Sequence, residues 1–193
     1  MSYITVIGAG SWGTTLAYLL SAKDFDISLW VYEESLAEEI KNTRINSLYL
    51  PDISLPENIK VTHRMDEAVA KARYVLNVVP SQHTRSIFKE AFSYMPAEAI
   101  IISAAKGIER GTLMTVSSVL KEISDHPVAV LSGPSFAKEV IKKMPTAVTL
   151  ATEDKETGLL LQEVFNNNHF RVYTHDDMLG VEIGGALKNV MAI

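Results

Sequence analysis

The sequence predicts an α/β fold, a doubly wound and mostly parallel sheet followed by the start of an α-helical second domain. Three observations carry that expectation. Strand-like and helix-like segments alternate almost to the end of the chain, the pattern of repeated βαβ units. Several strand segments are short continuous apolar runs, as strands covered on both faces require. A glycine-rich turn, Gly8-Ala9-Gly10-Ser11-Trp12-Gly13, joins the first strand to the first helix.

The strands are expected at Ile4–Ile7, Ile27–Val31, Ile59–Thr62, Tyr74–Val79, Ala99–Ala104, Val128–Ser132, Ala147–Ala151 and Arg171–Tyr173. Helices are expected between them at Thr14–Ala22, Glu34–Lys41, Asp66–Ala72, Thr84–Tyr94, Thr112–Glu122, Phe136–Lys142 and Lys155–Phe165, with Asp66 and Thr112 as N-caps. The stretch Asn42–Asn58 holds Pro51, Pro56 and Asp/Asn-rich turns without sustained periodicity, and reads as an excursion between the second helix and the third strand. From Asp176 onward, Leu179, Ile183, Ala186, Leu187 and Val190 recur at helical spacing. The chain stops within that pattern, without a C-cap signal, which reads as a truncation. The expected division is therefore a domain over residues 1–175 and the first helix of a second domain over residues 176–193.

The glycine turn has the strand before it and the helix after it that a dinucleotide pyrophosphate site needs, so the first domain reads as Rossmann-like. Gly8 permits the tight turn, Gly10 lets the backbone approach phosphates, and Gly13 lets the helix pack close to the strand. Unpaired N–H groups and the positive end of the helix dipole then face the anion. The competing reading is a glycine-rich turn that holds no ligand.

The bulk numbers exclude several function classes. Of 193 residues, 47% are apolar and 21% charged, an ordinary globular composition with enough apolar mass for a core. A net charge of −5 with no basic block argues against nucleic acid as a partner. There is no cysteine, which removes disulfides and thiolate chemistry and agrees with a cytoplasmic setting. The five histidines show no ligand spacing, so no metal site is expected. No apolar run has the length of a membrane span, and the first strand leaves no room for a signal peptide.

In a doubly wound sheet, ligands lie outside the carboxyl ends of the strands. Polar groups cluster at such ends: the glycine turn, Pro80-Ser81, Lys106-Gly107 and Ser132-Gly133-Pro134-Ser135. Lys106 is either a snorkelling surface lysine or a cation beside a substrate oxygen. Lys188, among small and apolar residues, is either exposed on its helix or a desolvated lysine whose lowered pKa suits proton exchange. Trp12 and Phe136 could flank an aromatic ring or simply pack in the core.

Together these segments resemble the bacterial-type NAD(P)-dependent glycerol-3-phosphate dehydrogenases, which reduce dihydroxyacetone phosphate. The matching pieces are the glycine turn with Thr14, Asn46 with Tyr49-Leu50-Pro51, Val79-Pro80-Ser81, Ala105-Lys106-Gly107-Ile108-Glu109, Leu131 to Glu139 with Pro145-Thr146-Ala147, and Gly180-Val181-Glu182 with Gly184 to Val190. The resemblance implies a coenzyme, NAD or NADP, held by Gly8, Gly10, Ser11, Trp12, Gly13, Tyr32, Lys106 and Ala137. It implies substrate contacts from Lys106, Gly133, Ser135, Lys188 and Asn189, with Lys188 as proton donor and acceptor and Lys106 assisting. Glu33 or Glu34 could bond ribose hydroxyls, and no arginine stands ready for a 2′-phosphate, which leans toward NAD or mixed use. The family also carries a further helical domain that supplies an Asp and a Ser-Arg-Asn cluster, so these residues alone are expected to have little activity. The implied role is dihydroxyacetone phosphate reduction to sn-glycerol 3-phosphate for glycerophospholipid synthesis, in the cytoplasm, with a homodimer allowed for the full-length protein. The alternatives are another dehydrogenase of the 6-phosphogluconate or β-hydroxy acid type, or a nucleotide-sensing module without catalysis.

Overall fold

The computed structural model describes the backbone of residues 2–191 and the side chains of residues 3–187. The first half runs β1 (Ser2–Ile7), α1 (Ser11–Ser21), β2 (Phe25–Trp30), α2 (Glu34–Thr43), β3 (Ile45–Asn46), β4 (Leu50–Ser54), β5 (Ile59–Thr62), α3 (Met65–Val69), β6 (Tyr74–Asn77) and α4 (Ser81–Ala91). The second half runs β7 (Ile100–Ser103), α5 (Val116–Ile123), β8 (Val128–Ser132), α6 (Ala137–Ile141), β9 (Thr146–Ala151), α7 (Lys155–Phe165), β10 (Phe170–His175) and α8 (Met178–Met191).

Eight of these strands form one sheet in the order β10-β9-β8-β7-β6-β1-β2-β5. From β5 to β8 all neighbours are parallel, and β1 sits between β2 and β6 in register, with Ile4 opposite both Ile27 and Tyr74. Relative to chain order, the sheet is built outward in one direction through β2 and β5, then in the other through β6, β7 and β8. The reversal occurs between β1 and β6. There the crossovers diverge to opposite faces and leave a crevice at the strand ends.

Strand alternation explains how both faces are buried. Ile4 and Val6 join a core cluster with Leu16 and Leu20 of α1, Ile40 of α2 and Phe165 of α7. Ile7 points the other way, into a cluster with Met65 of α3, Phe88 of α4 and Leu120 of α5. The same split holds on β8, where Ala129 and Leu131 face the first cluster and Val128 and Val130 the second. A strand with two buried faces must be apolar at every position, which is why these runs do not alternate in sequence.

All eight expected strands and seven expected helices are present, and the differences lie at their edges. The α3 helix begins after Arg64, not at Asp66; Asp66 instead pairs with Arg64 at 2.7 Å. The α5 helix is capped by Thr115, whose side chain accepts from the Ser118 N–H. Thr112 is spent elsewhere, donating to Glu109 at 2.6 Å inside a tight loop where Gly111 and Leu113 have positive φ. The stretch after α2 contains a small antiparallel pair, β3 with β4. Finally, β9 runs antiparallel to β8 while β10 is parallel to β9, so the last two strands oppose the rest of the sheet.

The α8 helix lies against β8 and β9. Met178 is buried with the α4 and α5 cluster. Glu182 is also buried, and its carboxylate accepts from the Ser117 N–H at 2.8 Å and from the Ser117 hydroxyl. It thereby satisfies an orphan donor in the first turn of α5, where a negative charge is favoured by the helix dipole. A Cβ on Gly185 would overlap the Ser132 hydroxyl, so the glycine sets how closely α8 approaches β8. Leu179, Ile183 and Leu187, spaced four apart, face outward and are 57%, 38% and 45% exposed. Replacing Glu182 with Ala should lower the unfolding free energy by about 2 kcal/mol, the size of hydrogen bonds to a charged group plus the stranded donor. A urea titration that shows no loss would mean that this capping contact does not hold α8 in place.

Candidate functional site

The crevice at the strand ends opens into a cleft of about 790 Å³, within the range of roughly 300–1,000 Å³ typical of small-molecule and cofactor sites. Its floor is the turn after β1, with Gly8, Ala9, Gly10, Ser11 and Trp12. Trp30, Tyr32 and Glu33 line it at the end of β2, and Tyr49 reaches it from the β3–β4 turn. On the other side stand Val78, Val79 and Pro80 after β6, His83, Ser86 and Ile87 of α4, and Ala104, Ala105 and Lys106 after β7. Ser135, Phe136 and Ala137 close the far end.

Local sequence explains why α1 can begin at this floor. Gly8 has φ +112, and a Cβ there would meet the Val78 carbonyl group at 3.0 Å. A Cβ on Gly13 would overlap the Gly8 carbonyl oxygen, so the first turn of α1 can fold back on the end of β1 only without a side chain at residue 13. A Cβ on Gly10, by contrast, would meet nothing within 4 Å. That position lines the cleft and leaves space for a ligand to approach the backbone.

Among the helix N-termini that border the cleft are those of α1 and α4. Neither has a side-chain cap bond, and neither has an acidic residue in its first turn. Their first amides therefore lack intrahelical partners, and both dipoles present a positive end. The chain carries net charge −5, so attraction for an anion here is local in origin. The open space at Gly10, the uncapped helix ends and the carboxylate of Glu33 at the β2 end fit a dinucleotide, with pyrophosphate at the glycine turn and ribose hydroxyls toward Glu33.

Lys106 stands on the loop after β7, and that loop is tied down on several sides. Gln82 donates to the Ile108 carbonyl at 2.7 Å and accepts from the Arg110 N–H at 2.9 Å. Gly107 has φ +126 and packs on the Ser81 side chain. Arg85 of α4 makes a two-point bond with Glu109, 2.9 Å on each arm, and also reaches Glu122 of α5. The result is an exposed lysine on a loop fixed at its base. Its Nζ lies 3.4 Å from the Gly133 carbonyl, a long contact that links the loops after β7 and β8.

Of the residues singled out from sequence, Gly8, Gly10, Ser11, Trp12, Tyr32, Lys106, Ser135 and Ala137 line the cleft. Gly13 does not; it lies under the glycine turn as a packing position. Gly133 does not either, because it is pressed against Val148 of β9, and it meets the site through its carbonyl. The side chains of Lys188 and Asn189 lie outside the described residues; the α8 backbone passes through both positions. Sequence reasoning missed His83, Ser86 and Ile87 as cleft residues. The signal was Pro80-Ser81 starting a helix whose next turn must face the same crevice. It also matched Tyr49 as part of a motif without giving it a place.

The model of a family described as the NAD-dependent glycerol-3-phosphate dehydrogenase N-terminus matches residues 3–158. The chain belongs to this glycerol-3-phosphate dehydrogenase family. A relative from Citrifermentans bemidjiense, glycerol-3-phosphate dehydrogenase (NAD(P)+), is 50% identical over 98% of this chain and 58% of its own length. The crystal structure of glycerol-3-phosphate dehydrogenase from Coxiella burnetii superposes with TM-score 0.93 at 35% identity, covering 99% of this chain and 59% of that one. The yeast enzyme superposes with TM-score 0.89 at 28% identity, over 99% of this chain and 61% of that one. A UDP-sugar dehydrogenase from Pyrococcus horikoshii, at 16% identity and TM-score 0.80, shares the fold alone. The chain spans 58% of the length of the curated relative from Citrifermentans. Among the described residues no helix is long and apolar enough to cross a membrane, and no group of three potential metal ligands occurs.

The Arg85 guanidinium and the Thr112 hydroxyl hold the Glu109 carboxyl well below its ordinary value of 4.5, at about 2. The unfolded chain therefore binds this proton more readily than the folded one. The stability Glu109 contributes is complete above about pH 4.5 and drains away as the pH falls toward 2. Denaturant midpoints measured across that window should fall more steeply for the natural chain than for Glu109→Gln. Parallel declines would show that the ion pair does not anchor the Lys106 loop.

Proposed function

We propose that this chain is the coenzyme-binding part of an enzyme that reduces dihydroxyacetone phosphate to sn-glycerol 3-phosphate, reversibly, with NADH or NADPH, and that its product feeds glycerophospholipid synthesis. The observation that carries the reading is the cleft itself. Two uncapped helix ends and a glycine floor face Lys106 across a space of dinucleotide size, in a chain of this family.

The residues have distinct tasks in this reading. Gly8, Gly10, Ser11 and Trp12 seat the pyrophosphate, with Gly13 setting the depth of α1. Tyr32 and Glu33 take the adenosine ribose, while Ala137 and Lys106 contact the nicotinamide half. Lys106, Gly133, Ser135, Lys188 and Asn189 hold the substrate. A bound nicotinamide supplies the hydride for the central carbonyl carbon. Lys188 delivers a proton to the carbonyl oxygen and takes it back in the reverse direction. Lys106 stabilises the negative charge that grows on that oxygen, and its tethered loop limits the reorganisation needed to do so.

Residues 176–193 begin a second, helical domain. The outward stripe of Leu179, Ile183 and Leu187 supports this, since continuing chain would cover it. The greater length of the relatives supports it too. The remaining substrate ligands belong to that domain, so residues 1–193 alone should bind coenzyme yet turn over slowly or not at all. The same reading puts the full-length protein in the cytoplasm and leaves room for a homodimer.

The test follows nicotinamide absorbance with and without dihydroxyacetone phosphate. Full-length protein should oxidise NADH or NADPH only when the ketone is present, and a failure to do so with either coenzyme overturns the reading. In that protein Lys188→Ala should lower kcat by about 100-fold or more while coenzyme affinity stays nearly constant. Near-normal turnover would remove Lys188 from the proton transfer.

A further inference from the structure

We infer that Asn46 is a positioning residue for the pyrophosphate seat: it locks the Ala9–Gly10 peptide in the one orientation that an anion can use. The inference rests on the coenzyme reading above and adds a residue outside the cleft lining. Asn46 stands at the end of β3, and its side chain is fully buried. Its amide donates to the Ala9 carbonyl at 2.8 Å and to the Thr14 hydroxyl at 2.9 Å. The Thr14 hydroxyl in turn donates to the same Ala9 carbonyl at 3.1 Å. The Asn46 carbonyl oxygen accepts from the Tyr49 N–H at 3.2 Å, which fixes the turn that carries Tyr49 over the cleft.

A lock is needed because residue 10 is glycine. Its φ is −65 here. Turning over the peptide between Ala9 and Gly10 would carry that φ into the positive range, which glycine occupies nearly as readily. In the turned-over state the Ala9 carbonyl would leave Asn46 and Thr14. Its partial negative charge would then move toward the side where Gly10 lines the cleft. The peptide is planar and trans, so holding the carbonyl on Asn46 keeps the Gly10 N–H on the opposite side. The glycine that makes room for phosphate thus also makes this peptide unstable in direction, and the two donors on Ala9 remove that freedom. An amide suits the task because it donates to the Ala9 and Thr14 oxygens and accepts from Tyr49 at once.

The variant that isolates this role is Asn46→Asp. It keeps the shape and the acceptor for Tyr49, but a carboxylate cannot donate to the Ala9 carbonyl. Thr14→Val removes the second donor on that carbonyl and serves as the independent variant, with thermal unfolding recorded for both. Binding of NADH, ADP-ribose and adenosine to the 1–193 chain is read from tryptophan fluorescence, Trp12 and Trp30 both lining the cleft. Asn46→Asp should weaken NADH and ADP-ribose by about tenfold or more, the scale of a hydrogen bond to a charged group, and adenosine by less than about twofold. Thr14→Val should weaken the same two ligands by a smaller factor. Equal losses for adenosine and ADP-ribose would assign Asn46 to the architecture of the β3–β4 turn and overturn the proposal, as would unchanged NADH binding in both variants. If Asn46→Asp does not fold, Thr14→Val alone decides, on the same ratio of ADP-ribose to adenosine. A natural chain that binds neither NADH nor NADPH defeats the coenzyme reading itself, a result separable from either of these.

Discussion

The site depends on one steric constraint, the contact between the start of α1 and the end of β1. Because residue 13 has no Cβ, the helix can begin directly against the Gly8 carbonyl. That closeness places the unpaired amides of the first turn at the mouth of the crevice between β1 and β6. A helix displaced outward by one methyl group would still cover its face of the sheet. Its N-terminus would no longer border the space between the strand ends, and the dipole would act on solvent. The fold supplies the crevice through strand order, and Gly13 lets the partial positive charge of the α1 N-terminus reach it.

The second half of the cleft follows a different logic. The β7–α5 connection lies outside the main sheet, and its own backbone closes it through the Ile108–Thr115 bridge and the Glu109–Met114 bond. Side chains of α4 then tie it down. Gln82 bonds both ends of the short stretch from Ile108 to Arg110, and Arg85 grips Glu109. The helix that offers its N-terminus to the cleft thus also anchors the neighbouring lysine, so the two positive features keep a fixed separation. Glu109 is buried at 8% exposure with Arg85 bonded on both of its carboxylate oxygens, which makes the loop a rigid attachment for the exposed lysine.

Sequence reading reached the elements because the signals for them are local. Apolar runs such as Tyr74–Asn77 and Ile100–Ser103 show burial on both faces, and the glycine turn names its own strand and helix. What it missed depends on partners distant in sequence. Thr112 looks like a cap, and only the fold back onto Glu109 shows its hydroxyl to be committed. The reversed direction of β9 has no signature in its own residues, because a buried strand is equally apolar whichever way it runs. Asn46 was visible as part of a matched motif, but its role could not be read there. Its partners at residues 9 and 14 lie more than thirty positions upstream, and the bonds exist only because β3 folds back over the glycine turn.

The placement of α8 follows from two contacts distant in sequence. Glu182 ties the helix to the start of α5, and Gly185 lets it lie close to Ser132, at the end of the strand that leads into Gly133 and Ser135. Both contacts fall within one turn of each other, and position 188 follows Gly185 by three residues. A helix pinned at two such points has its rotation and its height fixed over the next turn. The α8 backbone beyond Gly185 therefore continues along a course set by the packing of the helix on β8 and β9.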